Sequence, residues 1–290
     1  MLQRLLASGP VVADGAWGTQ LQAMGLAPGE CPDPWNLSHP EKVEEVARAY
    51  VEAGSQILLT NTFRANCISL PGPDARVADV NRAGVEISRR AAEGRALVFA
   101  SMGPSGKMLA AGEVEPGQLR AAFREQAEAL VRAGADALLL ETFADLDEAK
   151  IALAAAHEAA SCPVVVSLVF DSGRKRDRTM MGVMPEQAAR ELTDAGASAI
   201  GANCGNGIAA YVEICRRLNQ ATPLPIWIKP NAGLPELVEG RPVYRTTPEE
   251  FASHAPELIA AGARFIGGCC GTTPAFIRAV KQRIPACVSS

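Results

Sequence analysis

The fold is decided by one motif that occurs four times, a helix-like stretch that closes with Ala-Gly and is followed by a short apolar run. The copies read EAGSQILLTNTF (52–63), RAGADALLLETF (132–143), DAGASAIGANCG (194–205) and AAGARFIGGCCG (260–271). Each places a glycine where a helix ends, and a residue without a Cβ suits the left-handed conformation common there. Gly54, Gly134, Gly196 and Gly262 lie 80, 62 and 66 residues apart, about two helix–strand units each time. The motif therefore predicts alternate units of one repeated architecture.

Four further β-like runs lie between or beside these copies: PVVADGAW (10–17), ALVFASMG (96–103), PVVVSLVF (163–170) and PIWIKPNAG (225–233). Amphipathic stretches alternate with the eight runs, and their apolar residues recur at helical spacing, as in PEKVEEVARAYVEAG (40–54) and LRAAFREQAEALVRAG (119–134). Strict strand–helix alternation predicts a parallel sheet, and eight such units suit a closed barrel better than an open sheet. We therefore expect an α/β fold, a single (β/α)8 TIM barrel forming one domain over residues 1–290.

The composition excludes several classes of protein. Apolar residues make up 48% and charged residues 21% of the chain, which is the balance of an ordinary globular domain rather than of a disordered one. The net charge of −4 comes without a long basic run, so no nucleic acid partner is expected. No apolar run approaches the ~20 residues that span a bilayer, so no membrane partner is expected. The N-terminal MLQRLLASGP lacks the apolar core of an export signal, which favours a cytoplasmic location.

Polar residues follow the apolar runs at equivalent positions. Counting seven and eight residues forward from each repeat glycine gives Asn61 and Thr62, Glu141 and Thr142, Asn203 and Cys204, and Cys269 and Cys270. The intervening runs add Asp14, Ser101 and Asn231. In a parallel barrel all of these lie at the carboxyl ends of strands, the face on which active sites are built. The polarity of loops would account for each position singly, but it does not account for three cysteines.

Cys204, Cys269 and Cys270 are the candidate metal ligands. Adjacent residues of a regular strand point to opposite faces, so the vicinal pair binds one ion only if the strand ends before it. The glycines around the pair, Gly267, Gly268 and Gly271, permit that break. Three thiolates suit Zn²⁺ and leave one of its four positions open, as in catalytic zinc sites. The alternatives are a vicinal disulfide or merely buried thiols, and the other cysteines are interpreted as structural: Cys31, Cys67, Cys162, Cys215 and Cys287.

An open position on a thiolate-rich zinc site favours sulfur chemistry. A free thiol has a pKa near ~8.5 and is mostly protonated at neutral pH, so coordination would supply a deprotonated sulfur nucleophile. Transfer of an alkyl group to sulfur is the reaction that this arrangement predicts.

At these residues the chain resembles a known family. The stretches that carry the resemblance are DGAWGTQLQ (14–22), NTFRAN (61–66), ETF (141–143), GANCG (201–205), KPNAG (229–233) and GGCCGTTP (267–274). Together, from about residue 5 to residue 283, they resemble the homocysteine S-methyltransferase family, most closely the homocysteine-binding barrel of cobalamin-dependent methionine synthases. The resemblance implies Zn²⁺ on the three cysteines and homocysteine bound through its thiolate, methylated there to methionine in methionine biosynthesis.

The resemblance also implies roles for the residues around the metal. Asp14 and Glu141 match acidic positions that hold the amino group of the substrate, although a helix cap or a barrel salt bridge is the alternative for each. The backbone amides of Gly15 and Ala16 are expected to take the substrate carboxylate. Asn231 falls where an Asn oxygen becomes a fourth zinc ligand in the absence of substrate. The predicted substrate-binding set is completed by three strand-end residues: Ser101, Asn203 and Thr62.

The methyl donor is expected to come from outside the barrel, since the chain ends shortly after the helix that follows GGCCGTTP. The favoured donor is methylcobalamin, or a folate-derived methyl group, on a separate corrinoid or folate protein. S-methylmethionine, S-adenosylmethionine and a betaine are alternatives. So are methylation of another thiol or selenol, a non-catalytic thiol-binding subunit, and an excised domain of a larger methionine synthase. The basic loop DSGRKRDRTMMG (171–182) is either a solvated loop or a dock for an acidic donor protein.

Overall fold

The computed structural model describes residues 1–72, 76–238 and 241–284, and its central feature is an eight-stranded parallel sheet. The barrel strands are β1 (Val11–Val12), β2 (Ile57–Leu59), β3 (Leu97–Met102), β4 (Ala137–Phe143), β5 (Val164–Leu168), β6 (Ala199–Cys204), β7 (Ile226–Pro230) and β10 (Ala263–Ile266). Their order is β1-β10-β7-β6-β5-β4-β3-β2, and a parallel bridge between Ala13 and Ile57 joins the two ends. The predicted (β/α)8 barrel is therefore confirmed.

Between β7 and β10 the chain adds an antiparallel hairpin, β8 (Glu236–Val238) and β9 (Arg241–Val243). The helices are α1 (Leu2–Leu6), α2 (Gly18–Ala23), α3 (Trp35–Ser38), α4 (Pro40–Glu52), α5 (Val77–Ala92), α6 (Pro116–Arg132), α7 (Leu146–Ala159), α8 (Pro185–Asp194), α9 (Ile208–Ala221), α10 (Pro248–Ser253), α11 (Ala255–Ala260) and α12 (Pro274–Arg283), with a 3-10 turn at Leu109–Ala111.

Helix boundaries follow from local chemistry. Several helices, α4, α6, α8 and α12 among them, begin at a proline, whose fixed φ and missing N–H suit the first helical position. After α4, α6, α8 and α11 the chain turns through the four repeat glycines, whose φ angles are 99, 96, 90 and 108°. The Ala-Gly motif thus ends a helix and starts the return to the barrel, as the sequence predicts.

The barrel interior is filled by alternate strand residues. Phe99, Trp227 and Phe265 are fully buried there, and the Trp227 ring lies 6.0 Å from Phe99 and 5.4 Å from Phe265 between centroids. Leu2 of α1 packs against the same cluster. Gly201 faces Trp227, because a Cβ on Gly201 would lie 2.0 Å from the Trp227 carbonyl oxygen. The interior is therefore a packed core, and the open space lies at one end of the strands.

Candidate active site at the carboxyl end of the barrel

Three cysteine sulfurs meet at the carboxyl end of the barrel. Cys204 is the last residue of β6, and Cys269 and Cys270 lie in the loop that follows β10. β10 ends at Ile266, before the vicinal pair, so the predicted break of the strand is confirmed. The Sγ atoms of the three residues all lie within 4.8 Å of one another. All three are free thiols, so the alternative of a vicinal disulfide does not apply.

Backbone hydrogen bonds to the neighbouring strand hold the cysteines in place. The Cys269 amide donates to the Pro230 carbonyl over 2.8 Å, and the Asn231 amide donates to the Cys204 carbonyl over 3.1 Å. The Ala232 amide donates to the Cys270 carbonyl over 3.0 Å. The end of β7 therefore ties together both chain segments that supply sulfur.

Two strand-end residues of this face have left-handed backbone. Thr142 and Cys204 both have φ of 66°, a conformation that costs a residue with a Cβ about 1 kcal/mol or more. Asn203 connects the two positions: its Oδ1 accepts from the Thr142 amide over 2.9 Å, and its Nδ2 donates to Thr142 Oγ1 over 2.7 Å. Asn203 is itself buried in the wall, so the structure gives it a role in positioning Thr142 and Cys204.

The thiols influence one another's protonation. Hydrogen bonds from the Cys269 and Cys270 thiols hold the pKa of Cys204 well below its usual value. The same contacts raise the pKa of Cys269 and of Cys270. Among the three thiols, these contacts favour the thiolate form at Cys204.

The donor atoms at this point fit a borderline metal ion such as Zn²⁺. Three thiol sulfurs within a few ångströms are the soft ligands that zinc accepts. Asn231 adds a polar atom, because its Nδ2 donates to the Gly205 carbonyl over 2.9 Å while its buried Oδ1 has no hydrogen-bond partner in the described part of the chain. An unpartnered carbonyl oxygen beside three sulfurs is compatible with the predicted fourth ligand.

A cavity of about 410 Å³ opens beside the sulfurs. Aromatic rings and polar side chains line it, among them Trp17, Phe63, Tyr244, Ser101, Glu141 and Lys229. Tyr244 follows the β8–β9 hairpin and covers the cysteine loop, since a Cβ on Gly271 would lie 2.2 Å from its ring. Burial and the nearby Cys270 raise the pKa of Tyr244. Phe63 and Tyr244 were not expected from the sequence, where nothing marks an aromatic residue as part of a wall.

Glu141 is the carboxylate that faces this cavity. Its Oε1 accepts from Ser101 Oγ over 2.5 Å, and both residues line the cavity. Burial raises the pKa of Glu141, and the Lys229 ammonium and the Ser101 hydroxyl act in the opposite direction. The sequence places both residues correctly at the barrel mouth.

Asp14 lies deeper and is fully buried. Its Oδ2 accepts from the Leu59 amide and from Trp17 Nε1, each over 2.8 Å, and its Oδ1 accepts from Lys229 Nζ over 2.5 Å. The barrel salt bridge that the sequence left open as an alternative is therefore present. A direct contact between Asp14 and a substrate amino group stays a prediction.

Lys229 is the charged residue that the sequence analysis missed. It is only 2% exposed, yet it lines the cavity. The available signal was a lysine inside an otherwise apolar strand, PIWIKP, because a buried cation requires a counter-charge. Its partner, Asp14, is 215 residues away in sequence and cannot be identified without the fold.

The other predicted substrate-binding residues take different positions. Gly15 and Ala16 line the cavity, but the Ala16 amide donates to Thr272 Oγ1 over 3.2 Å. Thr62 is fully buried, and its hydroxyl donates to the Ser101 carbonyl over 2.7 Å. Thr62 therefore supports the wall behind Ser101. Contacts of these residues with a substrate stay predictions.

Among the remaining cysteines, Cys31 and Cys215 are buried, Cys162 is partly buried, and Cys67 is exposed. Cys67 lies in a turn, and a structural role for it stays a prediction; Cys287 lies outside the described residues. In the basic loop, Asp177 pairs with Arg217 over 2.7 Å, while Arg174 and Lys175 are exposed. Docking of a donor protein on this loop stays a prediction.

A barrel with three thiols, an acidic group and a cavity at its mouth is the arrangement of a sulfur-directed transferase. The model of the family described as Homocysteine S-methyltransferase matches residues 11–284. The chain therefore belongs to the homocysteine S-methyltransferase family. The expected enzyme class, a methyltransferase, is that of this family.

Individual relatives agree with this membership. The chain is 34% identical to a methionine synthase of Mycobacterium tuberculosis over 94% of this chain, and 30% identical to mouse betaine–homocysteine S-methyltransferase 1 over 98% of this chain and 74% of the relative. It spans about a quarter of the methionine synthases of M. tuberculosis and M. leprae that it matches.

A solved structure of the homocysteine methyltransferase MmuM from Escherichia coli, in a metallated form, superposes with a TM-score of 0.82 at 27% identity. The match covers 97% of this chain and 99% of that one. Within the described ranges, no helix has both the length and the apolarity needed to cross a bilayer. A cytoplasmic location stays a prediction.

Proposed function

We propose that this chain transfers a methyl group to the sulfur of homocysteine, forming methionine, with Zn²⁺ held by Cys204, Cys269 and Cys270. The observation that carries the proposal is the meeting of three thiol sulfurs within 4.8 Å at a cavity that also contains Glu141. Membership of the family supports homocysteine as the substrate. The match to a metallated MmuM supports a metal at the cysteines.

In the reaction, a bond forms between the homocysteine sulfur and the methyl carbon, and the bond between that carbon and the donor breaks. The thiol proton of homocysteine is released to solvent. Zinc, when bound, supplies a positive charge that favours the thiolate form of a sulfur ligand at neutral pH. The chain's own groups orient the substrate: Glu141, held by Ser101, offers a carboxylate to the substrate ammonium. Asn231 Oδ1 would be the fourth group to hold zinc in the absence of substrate.

For the donor, we favour a methyl group carried by a separate corrinoid or folate protein. This choice follows the resemblance of the sequence motifs to cobalamin-dependent methionine synthases, and two mycobacterial relatives are named methionine synthases. Betaine is the alternative that the mouse relative supports by its name, and S-methylmethionine and S-adenosylmethionine are further alternatives.

Methionine formation from homocysteine, measured in parallel with each donor, tests the activity and the donor together. We expect turnover with methylcobalamin. Turnover only with S-methylmethionine would overturn the donor assignment but would support methyl transfer to homocysteine. Homocysteine binding without methionine from any donor would instead indicate a thiol-binding subunit.

Cys204→Ser tests the metal. The variant should lose stoichiometric zinc, measured by atomic emission, together with methyl transfer. Cys67→Ser removes an exposed thiol outside the cavity lining and should keep both, which makes it the matched control. Full activity of a metal-free wild-type protein would contradict the proposed role of zinc.

A further inference from the structure

Two buried tyrosine hydroxyls contact the chain segments that carry the three cysteines. Tyr50 of α4 and Tyr211 of α9 are both fully buried, and their rings pack in core clusters formed by helix and strand residues. A phenylalanine ring would fill the same space. Because a buried hydroxyl costs free energy unless it is hydrogen-bonded, the acceptors of the two hydroxyls indicate what these residues do.

The Tyr211 hydroxyl supports the end of β6. It donates over 2.8 Å to the carbonyl of Asn203, the residue before Cys204. Cys204 and Gly205, which follow, both have φ of 66°. A Cβ on Gly205 would collide with the Tyr211 hydroxyl, so the hydroxyl packs directly against this left-handed turn. Tyr211 therefore supports the backbone conformation that directs Cys204.

The Tyr50 hydroxyl supports the loop after β10. Its oxygen lies 2.7 Å from the Ala16 carbonyl and 3.2 Å from the Thr272 carbonyl, and it donates to these two acceptors. Thr272 closes the turn of the vicinal cysteines, because its amide and its hydroxyl both donate to the Cys269 carbonyl, over 3.1 and 2.8 Å. Tyr50 is therefore linked through Thr272 to the turn that carries Cys269 and Cys270.

From these contacts we infer that Tyr50 and Tyr211 are positioning residues for zinc, each holding one of the two chain segments that supply its cysteine ligands. The inference rests on the proposed function and deepens it. A metal site binds its ion tightly when groups behind the ligands fix the ligands in place. Burial raises the pKa of both tyrosines well above the ordinary value, so both hydroxyls keep their protons at neutral pH.

Tyr50→Phe and Tyr211→Phe each remove one oxygen atom and keep the ring. The experiment measures the zinc affinity of the full chain by competition with a chelator, and the free energy of unfolding of the zinc-free protein in urea. We expect each substitution to weaken zinc binding about tenfold, as is typical when a group that orients a metal ligand is lost. A role in the fold alone would lower the stability of the zinc-free protein and leave its zinc affinity unchanged.

Ser88→Ala is the matched control. Ser88 is also fully buried, and its hydroxyl donates over 3.0 Å to the carbonyl of Leu59, the last residue of β2. Because β2 supplies no cysteine, this variant should lose stability but keep the zinc affinity of wild type.

Substitutions of Thr272 test the link between Tyr50 and the cysteine turn. Thr272→Val removes the hydroxyl that donates to the Cys269 carbonyl and should weaken zinc binding as Tyr50→Phe does. Thr272→Ser keeps a hydroxyl at this position and should restore zinc affinity to within about twofold of wild type.

Wild-type zinc affinity in the folded Tyr50→Phe and Tyr211→Phe variants would overturn the inference. An equal loss of zinc affinity in Ser88→Ala would also overturn it, because any buried hydroxyl would then have the same effect. A tyrosine variant that does not fold would assign its hydroxyl to the fold instead of the metal site. If wild type binds no zinc, the proposed metal site is wrong as well, so this outcome separates failure of the proposed function from failure of the inference alone.

Discussion

Asp33 allows a test of how much a buried carboxylate beside the cavity lowers the free energy of unfolding. It is fully buried, its Oδ1 accepts from the Arg64 amide over 2.7 Å, and its Oδ2 accepts from Cys31 Sγ over 3.4 Å. Burial raises the pKa of Asp33 from its ordinary 3.8 to about 6. The carboxylate is therefore ionised at neutral pH in a place that disfavours its charge.

The substitution Asp33→Asn should stabilise the protein above pH 6. Since the folded pKa is raised, the folded state binds the proton more tightly, and stability is lost as pH rises from 3.8 through about 6. At 1.36 kcal/mol per pH unit, the charge lowers the free energy of unfolding by about 3 kcal/mol at pH 8 and by about half as much at pH 5. The Asn oxygen keeps the bond from the Arg64 amide, so most of this difference should appear as a gain.

Urea unfolding of wild type and variant at pH 8 and pH 5, with the same metal load, measures the effect. The difference in the free energy of unfolding between variant and wild type should be smaller at pH 5 than at pH 8 by about 1.4 kcal/mol. The control is Asp194→Asn, which changes an exposed carboxylate at the last residue of α8. This substitution should change stability little at either pH. A pH-independent difference, or a less stable Asp33→Asn at pH 8, would show that nearby groups such as Arg64 fully compensate the buried charge.

Two further substitutions test the core and the metal position. Gly201→Ala should destabilise the fold by about 2–3 kcal/mol or more, because the new Cβ would lie 2.0 Å from the Trp227 carbonyl oxygen. Gly18→Ala is the control and should be neutral, because a Cβ on Gly18 would have no atom within 4 Å. Thermal unfolding of the two variants and of wild type measures the difference. Asn231→Ala should weaken zinc binding about tenfold, measured by competition with a chelator. With saturating homocysteine, which would replace the lost ligand, variant and wild type should bind zinc equally well. An equal loss of zinc affinity with and without homocysteine would argue against a displaceable fourth ligand.

The sequence predicts the barrel well because its signals are local and repeated. A glycine that ends a helix and an apolar run after it are both short-range features, and all four repeat glycines have positive φ in the structure. Closure is a different matter, because it depends on pairing between Ala13 and Ile57 at the two ends of the sheet. Only the count of eight units pointed to it.

At the site, the sequence predicts which residues reach the barrel mouth but not which way each side chain faces. Ser101 and Glu141 line the cavity, whereas Thr62 and Asn203 are buried in its wall. Strand-end position is set by the repeat, but orientation depends on where each strand departs from regular geometry. The pairing of Lys229 with a residue at the other end of the chain lies beyond any local signal.

At the ends of β4 and β6, left-handed backbone at Thr142 and Cys204 changes the direction of the chain beside the site. In a regular strand Cys204 would share the face of Ala202, which packs in the core cluster that also contains residues of the surrounding helices. Left-handed backbone at Cys204 redirects the strand end from that course. Thr142 has the same conformation and makes two hydrogen bonds with Asn203, one donated by its amide to Asn203 Oδ1 and one accepted by its hydroxyl from Asn203 Nδ2, which offset the cost. Since such strain persists only where the surroundings enforce it, its occurrence beside the three sulfurs indicates that the surrounding structure fixes the positions of Thr142 and Cys204.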